Sequence, residues 1–322
     1  MPKKSLILLA VKIFIRNFVP KTTEKTIMGR FINPFTDLGF KRIFGQEFSK
    51  PVLIGFLNAL LTDERSIKDV QFLDKEQIGI YDDDRSLVYD ILCETDGGEK
   101  IIVEMQNRYQ PFFKERTIYY AARAIIEQGM RGREWQYNLK AVYVVSFMDF
   151  SLSDVDDNFR IDVALMDMTQ HTVFSDKVRL IYLQLPYFKK TEEECTTTFD
   201  RMIYVLKNMD VFDRMPWAAK DAVFHRMAEI AEFAKLDHTE RLRYETEVKH
   251  YRDTIAVMHG QYLQGEEKGR AEGRAEGEAK GRAEGRAEEK RDTARKMKQK
   301  GLPADLIAEM TGLSLTDIEE IG

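Results

Sequence analysis

Ser86–Gln110 reads SLVYDILCETDGGEKIIVEMQNRYQ, and the way this stretch is read decides the fold. Two apolar runs flank Thr95-Asp96-Gly97-Gly98-Glu99, turn formers whose glycines permit the positive φ of a tight hairpin. Three polar side chains interrupt the runs: Asp90 in the first strand, Glu104 and Gln106 in the second. With the hairpin centred on Gly97, positions summing to 194 face each other, which sets Asp90 across from Glu104. Their Cβ atoms would then lie roughly 4.5 to 5.5 Å apart. Glu104 and Gln106 share one face of their strand, while Val103 and Met105 take the other. A two-residue Gly97-Gly98 turn would shift the register by one and send Glu104 to the face opposite Asp90, so convergence needs an odd loop or a bulge. Any one such acid is most often a solvated residue on an open sheet face. Two buried carboxylates at this spacing share a proton or hold a cation, and hard divalent ions such as Mg2+ take carboxylate oxygens readily.

An acid followed, after a turn, by Ile-Ile-Val-Glu-Met-Gln matches the Asp, Glu-x-Lys pattern of PD-(D/E)XK nucleases, with Gln106 where the usual pattern has Lys. The supporting stretches are NPFTDLGFKRIFG at 33–45, LIGFLNALL at 53–61, DDDRSLVYDILCETDGGEKIIVEMQ at 82–106 and PFFKERTIYYAARAI at 111–125. Together they resemble the PD-(D/E)XK nuclease family transposases, also called recombination-promoting nucleases, over most of Asn33 to about Leu185. The resemblance implies a restriction-endonuclease-like fold and Mg2+-dependent cleavage of DNA, with Mn2+ able to substitute, in DNA recombination or mobile-element biology. It implies Asp90 and Glu104 as the metal-holding acids. The backbone carbonyl of Met105 would complete the metal shell, and Gln106 would position water or phosphate. Members of that superfamily with Gln in place of Lys leave activity open.

The rest of the composition narrows the alternatives. A chain of 322 residues with 43% hydrophobic content supports one good-sized globular domain plus appendages. The net charge of −5 is mild and leaves room for a local basic groove. Cys93 and Cys195 are the only cysteines, which excludes a disulfide framework or cysteine metal cage and suits a reducing cytoplasm. Histidines at 171, 225, 238, 250 and 259 show no ligand spacing, so zinc and Ser-His-Asp chemistry lack support. Residues 1–27 imitate a signal peptide, with Lys3, Lys4 and LILLAV, but Lys12 and Arg16 interrupt the apolar segment. The segment is too short and charged to span a bilayer, and no membrane association is expected. It reads either as an extension upstream of a true start at Met28 or as a basic, disordered or surface-docked arm.

Helical patterns open after Asn33 and span Lys50 to Leu61. Asp37 and Lys41 stand one turn apart, either as a surface ion pair or as a polar wall of a catalytic groove, with Asp37 a further candidate acid and Lys41 a candidate DNA contact. Residues 69–81 read as a strand in which Glu76 is another candidate acid. Phe113 to Gly129 reads as a helix carrying Arg116, Tyr120 and Arg123 at i, i+4, i+7 spacing. That ridge either meets DNA phosphate or lets Arg116 offset the charge of Glu104. Strands recur at 139–148, 160–166 and 178–185, giving an α/β fold with a mixed sheet flanked by helices and a C-terminal helical region.

The expected domains are a nuclease-like domain at 28–188, a separate helical subdomain or lid at 189–263, a Gly/Ala/Glu/Arg repeat at 264–291 and a helix-turn-helix-like tail at 292–322. In the repeat, Gly265, Gly269, Gly273, Gly277, Gly281 and Gly285 each cost a helix about 1 kcal/mol, which favours a flexible linker over a self-associating helical arm. The tail's last helix is acidic, with Asp317, Glu319 and Glu320, and suits packing or dimerisation better than DNA reading. Three functions stay in contention: a Mg2+-dependent endonuclease acting on DNA, a nuclease-like DNA-associated interaction protein with little or no turnover, and an oligomeric scaffold built through the repeat.

Overall fold

A computed structural model describes residues 29–62, 64–74, 76–77, 87–129, 136–152 and 157–321, so the 1–27 extension lies outside the described residues. Asp96, Gly97 and Gly98 close the central hairpin as a three-residue loop. The Thr95 N–H donates to the Glu99 carbonyl at 2.9 Å, and Gly98 takes a φ of +83° that a side chain would strain. This odd loop fixes the register. Strands β4 (Ile91–Thr95) and β5 (Lys100–Gln106) are antiparallel with Ile91 opposite Val103 and Cys93 opposite Ile101, pairs that sum to 194.

The hairpin sits inside a six-stranded mixed sheet of order β1 (Val70–Phe72), β4, β5, β6 (Val142–Met148), β8 (Thr172–Gln184) and β7 (Arg160–Asp167). Strands β5, β6 and β8 run parallel to one another, and the other pairings are antiparallel. The short strands β2 (Glu76–Gln77) and β3 (Leu87–Val88) pair separately. Strand β6, VYVVSFM, is buried at every position, as a central parallel strand covered on both faces should be. On one face lie α1 (Asp37–Phe44), α2 (Lys50–Leu60), α4 (Thr198–Asn208), α5 (Ala222–Ala231) and the first turns of α6 (His238–Gln299). There Phe44, Phe56, Phe147, Met202 and Phe224 share one core. On the other face α3 (Phe113–Ile126) packs Phe113, Tyr120 and Ala124 against Ile102 and Val144.

The helices expected to form a separate body from residue 189 are built into this core instead. The apolar stripes of α4 and α5 include Met202, Ile203, Phe224 and Met227, all fully buried, and they need the surface of α2 to leave water. Backbone bonds tie the same helices to the start of the described chain, with Ile32 N–H donating to Ala231 at 2.8 Å and Phe233 N–H to Arg30 at 2.9 Å.

Helix α1 starts where Thr36 Oγ1 accepts the Gly39 N–H at 3.0 Å, with Asp37 in the first turn favourable to the helix dipole. Thr36→Ala is expected to lower stability by about 1 kcal/mol, read from the urea midpoint at unchanged slope.

The chain divides into two compact units, Met1–Ile255 and Ala256–Gly322. The glycine repeat is helical throughout, within α6, which overturns the flexible-linker reading. Ion pairs one turn apart, such as Arg270 with Glu266 and Arg274 with Glu278, favour the helix that the glycines weaken. In the second unit α7 (Ala304–Thr311) and α8 (Leu315–Glu320) enclose a small core of Ala294, Ile307, Ile318 and Ile321. The Lys298 ammonium caps the end of α8, donating to the carbonyls of Ile318 and Ile321 at 3.0 and 2.6 Å. Among the described residues no helix is long and apolar enough to cross a membrane.

Candidate active site

Asp90 stands just before β4, and Glu104 and Gln106 lie toward the end of β5. Each acid reaches across the hairpin to a backbone N–H on the other side. Glu104 Oε1 accepts the Asp90 N–H at 3.1 Å, and Asp90 Oδ2 accepts the Met105 N–H at 2.9 Å. The Gln106 amide Nε2 lies 3.5 Å from Glu104 Oε2, while the Met105 side chain turns to the opposite core. From α3, the Arg116 guanidinium stands 3.8 Å from Glu104 Oε2, beyond hydrogen-bond distance. Arg116 spends its best bond on Gln110, at 2.5 Å.

Burial dominates the electrostatics. Glu104 is 2% exposed, and loss of water together with the neighbouring Asp90 charge pushes its carboxyl up to about 8. Burial also raises Asp90, against the Met105 N–H and the charges of Lys41 and Arg116. The acid pair therefore retains a proton near neutrality. Between the ordinary Glu value of 4.5 and about 8, the folded chain binds more protons than the unfolded chain. In the absence of metal, stability is thus expected to fall as pH rises through that window, a slope that Glu104→Gln should flatten in urea titrations at several pH values.

A cavity of about 340 Å3 opens beside the pair. Asp37, Asp90 and Gln106 line one side, and Glu247, His250 and Tyr251 of α6 line the other. Of these α6 residues only His250 is named from the sequence, and it is set aside with the other histidines for want of ligand spacing. Their signal was available, since Glu247, His250, Tyr251 and Thr254 follow i, i+3, i+4, i+7 spacing and place one polar stripe on the helix. Asp149, after β6, was also passed over. Its N–H donates to the Gln106 carbonyl at 2.9 Å and its Oδ2 accepts the Tyr251 hydroxyl at 3.1 Å. Burial lifts its carboxyl to about 7.

The remaining sequence candidates separate. Asp37 is ion-paired with both Lys41, at 2.6 Å, and Arg243, at 2.7 Å. Glu247 accepts the Leu38 N–H at 2.7 Å, which fastens α1 to α6. Of the α3 ridge, Arg116 stands closest to Glu104, and the Tyr120 hydroxyl is pushed up by burial and by the charges of Glu104 and Asp90. Tyr120 and Arg123 are 6% and 8% exposed, and Tyr120 packs edge-on against Tyr89 at 5.0 Å, so the ridge presents no continuous surface to a phosphate. The side chain of Glu76 lies outside the described residues.

Among the described residues, the buried polar atoms without a partner include Asn107 Oδ1, Arg116 Nε, Ser146 Oγ and Asp149 Oδ1. All four belong to residues around the end of β5: Asn107 follows the strand, Ser146 is paired with Glu104, and Asp149 bonds Gln106. Buried polar groups left unpaired together call for a partner there, water or ligand.

A family model, PD-(D/E)XK nuclease family transposase, matches residues 34–261. The chain belongs to this family. No curated protein and no solved structure matches it. The match runs past β8 through α4 and α5 into α6, so the helices that complete the core and the cavity wall are part of the PD-(D/E)XK domain. The six-stranded mixed sheet with its flanking helices is accordingly a restriction-endonuclease-like fold.

The donor set fits a hard divalent cation, the group that PD-(D/E)XK nucleases imply. Two carboxylates approach with only the Arg116 guanidinium at 3.8 Å and the Lys41 ammonium, itself ion-paired with Asp37, to offset them, and both are destabilised as anions. Among the described residues, no group of three His, Cys, Asp or Glu side chains is placed to hold a metal. Backbone and amide oxygens with water would fill the shell, an arrangement Mg2+ accepts because it gives up its own waters reluctantly.

Proposed function

We propose that this chain hydrolyses DNA phosphodiester bonds, with Asp90 and Glu104 holding Mg2+ or Mn2+. The observation that carries this reading is that the half-buried Asp90 and the buried Glu104 each bond the backbone beside the other, next to the cavity of a PD-(D/E)XK domain. A divalent cation bound there would polarise the scissile phosphate and generate the attacking hydroxide. Asp90 and Glu104 hold their positions because each accepts a backbone N–H from the neighbouring strand, so no side-chain rearrangement is needed to present both. The Gln106 amide, beside Glu104, orients the water or a phosphate oxygen. The Met105 carbonyl is the backbone donor to the shell. Lys41 and Arg116 supply positive charge near the acids, the part that Lys takes at the position of Gln106 in the common pattern.

The test is conversion of supercoiled plasmid to nicked or linear DNA in Mg2+ or Mn2+, blocked by EDTA. A second reading, DNA association without turnover, draws on Gln106 in the Lys position and on Arg116 already facing Glu104. DNA retention with no cleavage in either metal would favour it. DNA is the partner in both readings, and a reducing cytoplasm remains the compartment suggested by two buried, unpaired cysteines.

A further inference from the structure

Arg108, in the loop after β5, and His250, on α6, line the same cavity as Asp90 and Gln106. Both side chains are exposed, and neither forms a hydrogen bond or an ion pair with a described residue. The other charged groups around the cavity are engaged. Asp37 pairs with Lys41 at 2.6 Å and with Arg243 at 2.7 Å. Glu247 pairs with Arg243 at 2.8 Å and accepts the Leu38 N–H at 2.7 Å. Among the described residues, Arg108 is the only Lys or Arg that lines the cavity, and its guanidinium has no protein acceptor.

The main chain beneath each of the two side chains is nevertheless pinned. Asn107 Nδ2 donates to the Phe35 carbonyl at 2.6 Å, and the Tyr109 ring packs edge-on against Phe150 at 5.8 Å, so the residues on either side of Arg108 are anchored. Next to His250, the Tyr251 hydroxyl reaches Asp149 at 3.1 Å, and one turn earlier Glu247 fastens the helix to α1. Two donors set on fixed backbone lose little further freedom when a ligand arrives between them. Their chemistry suits an anion. A guanidinium fork matches two phosphate oxygens at once, and an imidazole N–H adds a further donor from a different element.

We propose that Arg108 and His250 form a phosphate clamp, which holds the DNA backbone beside the phosphate to be cut. The clamp rests on the DNA-hydrolysis reading, and it adds two substrate contacts outside the Asp90 and Glu104 pair. Fluorescence anisotropy of the full chain with a labelled DNA duplex, in EDTA so that the DNA stays intact, measures the clamp apart from cleavage. Arg108→Gln should weaken binding about tenfold and lower the slope of log affinity against log salt by about one. His250→Ala should weaken binding about threefold. Arg108→Lys should keep the salt slope, which counts charge, yet bind less tightly because it lacks the fork, and it serves in place of Arg108→Gln should that variant misfold. Lys220→Gln, exposed and not part of the cavity lining, should bind as wild type does. All four variants should melt with the wild type. A folded Arg108→Gln or His250→Ala that binds like wild type overturns the clamp, and so does an equal loss in Lys220→Gln. If those variants bind normally while the wild type cuts plasmid in Mg2+, the clamp falls and the nuclease reading stands. If they lose binding as expected while no protein cuts in Mg2+ or Mn2+, the clamp stands and hydrolysis falls. A wild type that binds no DNA overturns both.

Discussion

Asp90→Asn is expected to reduce Mg2+-dependent DNA cleavage by ~10^3-fold or more, because the loss of one of two carboxylates forfeits several kcal/mol of transition-state charge stabilisation. The substitution isolates charge from structure. The Asn Oδ1 can still accept the Met105 N–H that Asp90 accepts at 2.9 Å, so the end of β5 stays in place. Alanine would remove that acceptor and leave a backbone donor unmet. Glu104→Gln should behave alike, since Gln Oε1 can keep the Asp90 N–H bonded at 3.1 Å in wild type. In metal-free protein neither variant should melt below wild type, because each removes one of two mutually repelling acids whose anions burial already disfavours. Loss of cleavage with a large fall in the urea midpoint would instead point to a structural role for the acids.

Phe147→Ala is expected to destabilise the first unit by about 3–5 kcal/mol, the largest single effect on folding. Phe147 is 1% exposed on β6 and meets Phe56 at 5.1 Å, Phe40 at 5.6 Å and Phe44 at 5.9 Å between ring centroids. It is the point at which α1 and α2 join the sheet, and their rings cannot close over the gap without moving both helices. Phe147→Leu refills part of the volume and should cost less. Because α1 carries Asp37 to the cavity with Lys41 ion-paired to it, the alanine variant should, on the proposed function, also lose DNA affinity in conditions where it remains folded. Urea denaturation of both variants, read at constant slope, checks the magnitude.

The sequence spoke most clearly where local chemistry and local geometry coincide. The sequence left the register of the central hairpin open between an odd loop centred on Gly97 and a two-residue Gly97-Gly98 turn, and the loop is the odd one that facing Asp90 and Glu104 requires. Strands β6 and β8 stood out as apolar runs, and polar residues inside the runs of the hairpin marked the candidate site. What escaped depends on distance along the chain or on the direction a helix faces. The polar stripe of α6 meets Asp90 and Gln106 across some 140 residues, and nothing in its spacing says which face of the sheet it will cover. The α3 ridge was legible as a ridge, yet Tyr120 and Arg123 point into the domain, an unusual fate for Arg that periodicity does not foretell. In the glycine repeat, propensity was weighed without the ladder of ion pairs that accompanies it. The stripes of α4 and α5 showed that these helices bury something, but not that they share the core of α2.

The most direct measurement is a calorimetric titration of Mg2+ and Mn2+ into wild-type, Asp90→Asn and Glu104→Gln protein, followed by melting of each with and without metal. Saturable binding that raises the wild-type melting temperature, strengthens as pH rises toward about 8 and disappears in both variants is the expected result. Absence of binding to the wild type, or equal binding by all three proteins, would contradict a cation site between Asp90 and Glu104.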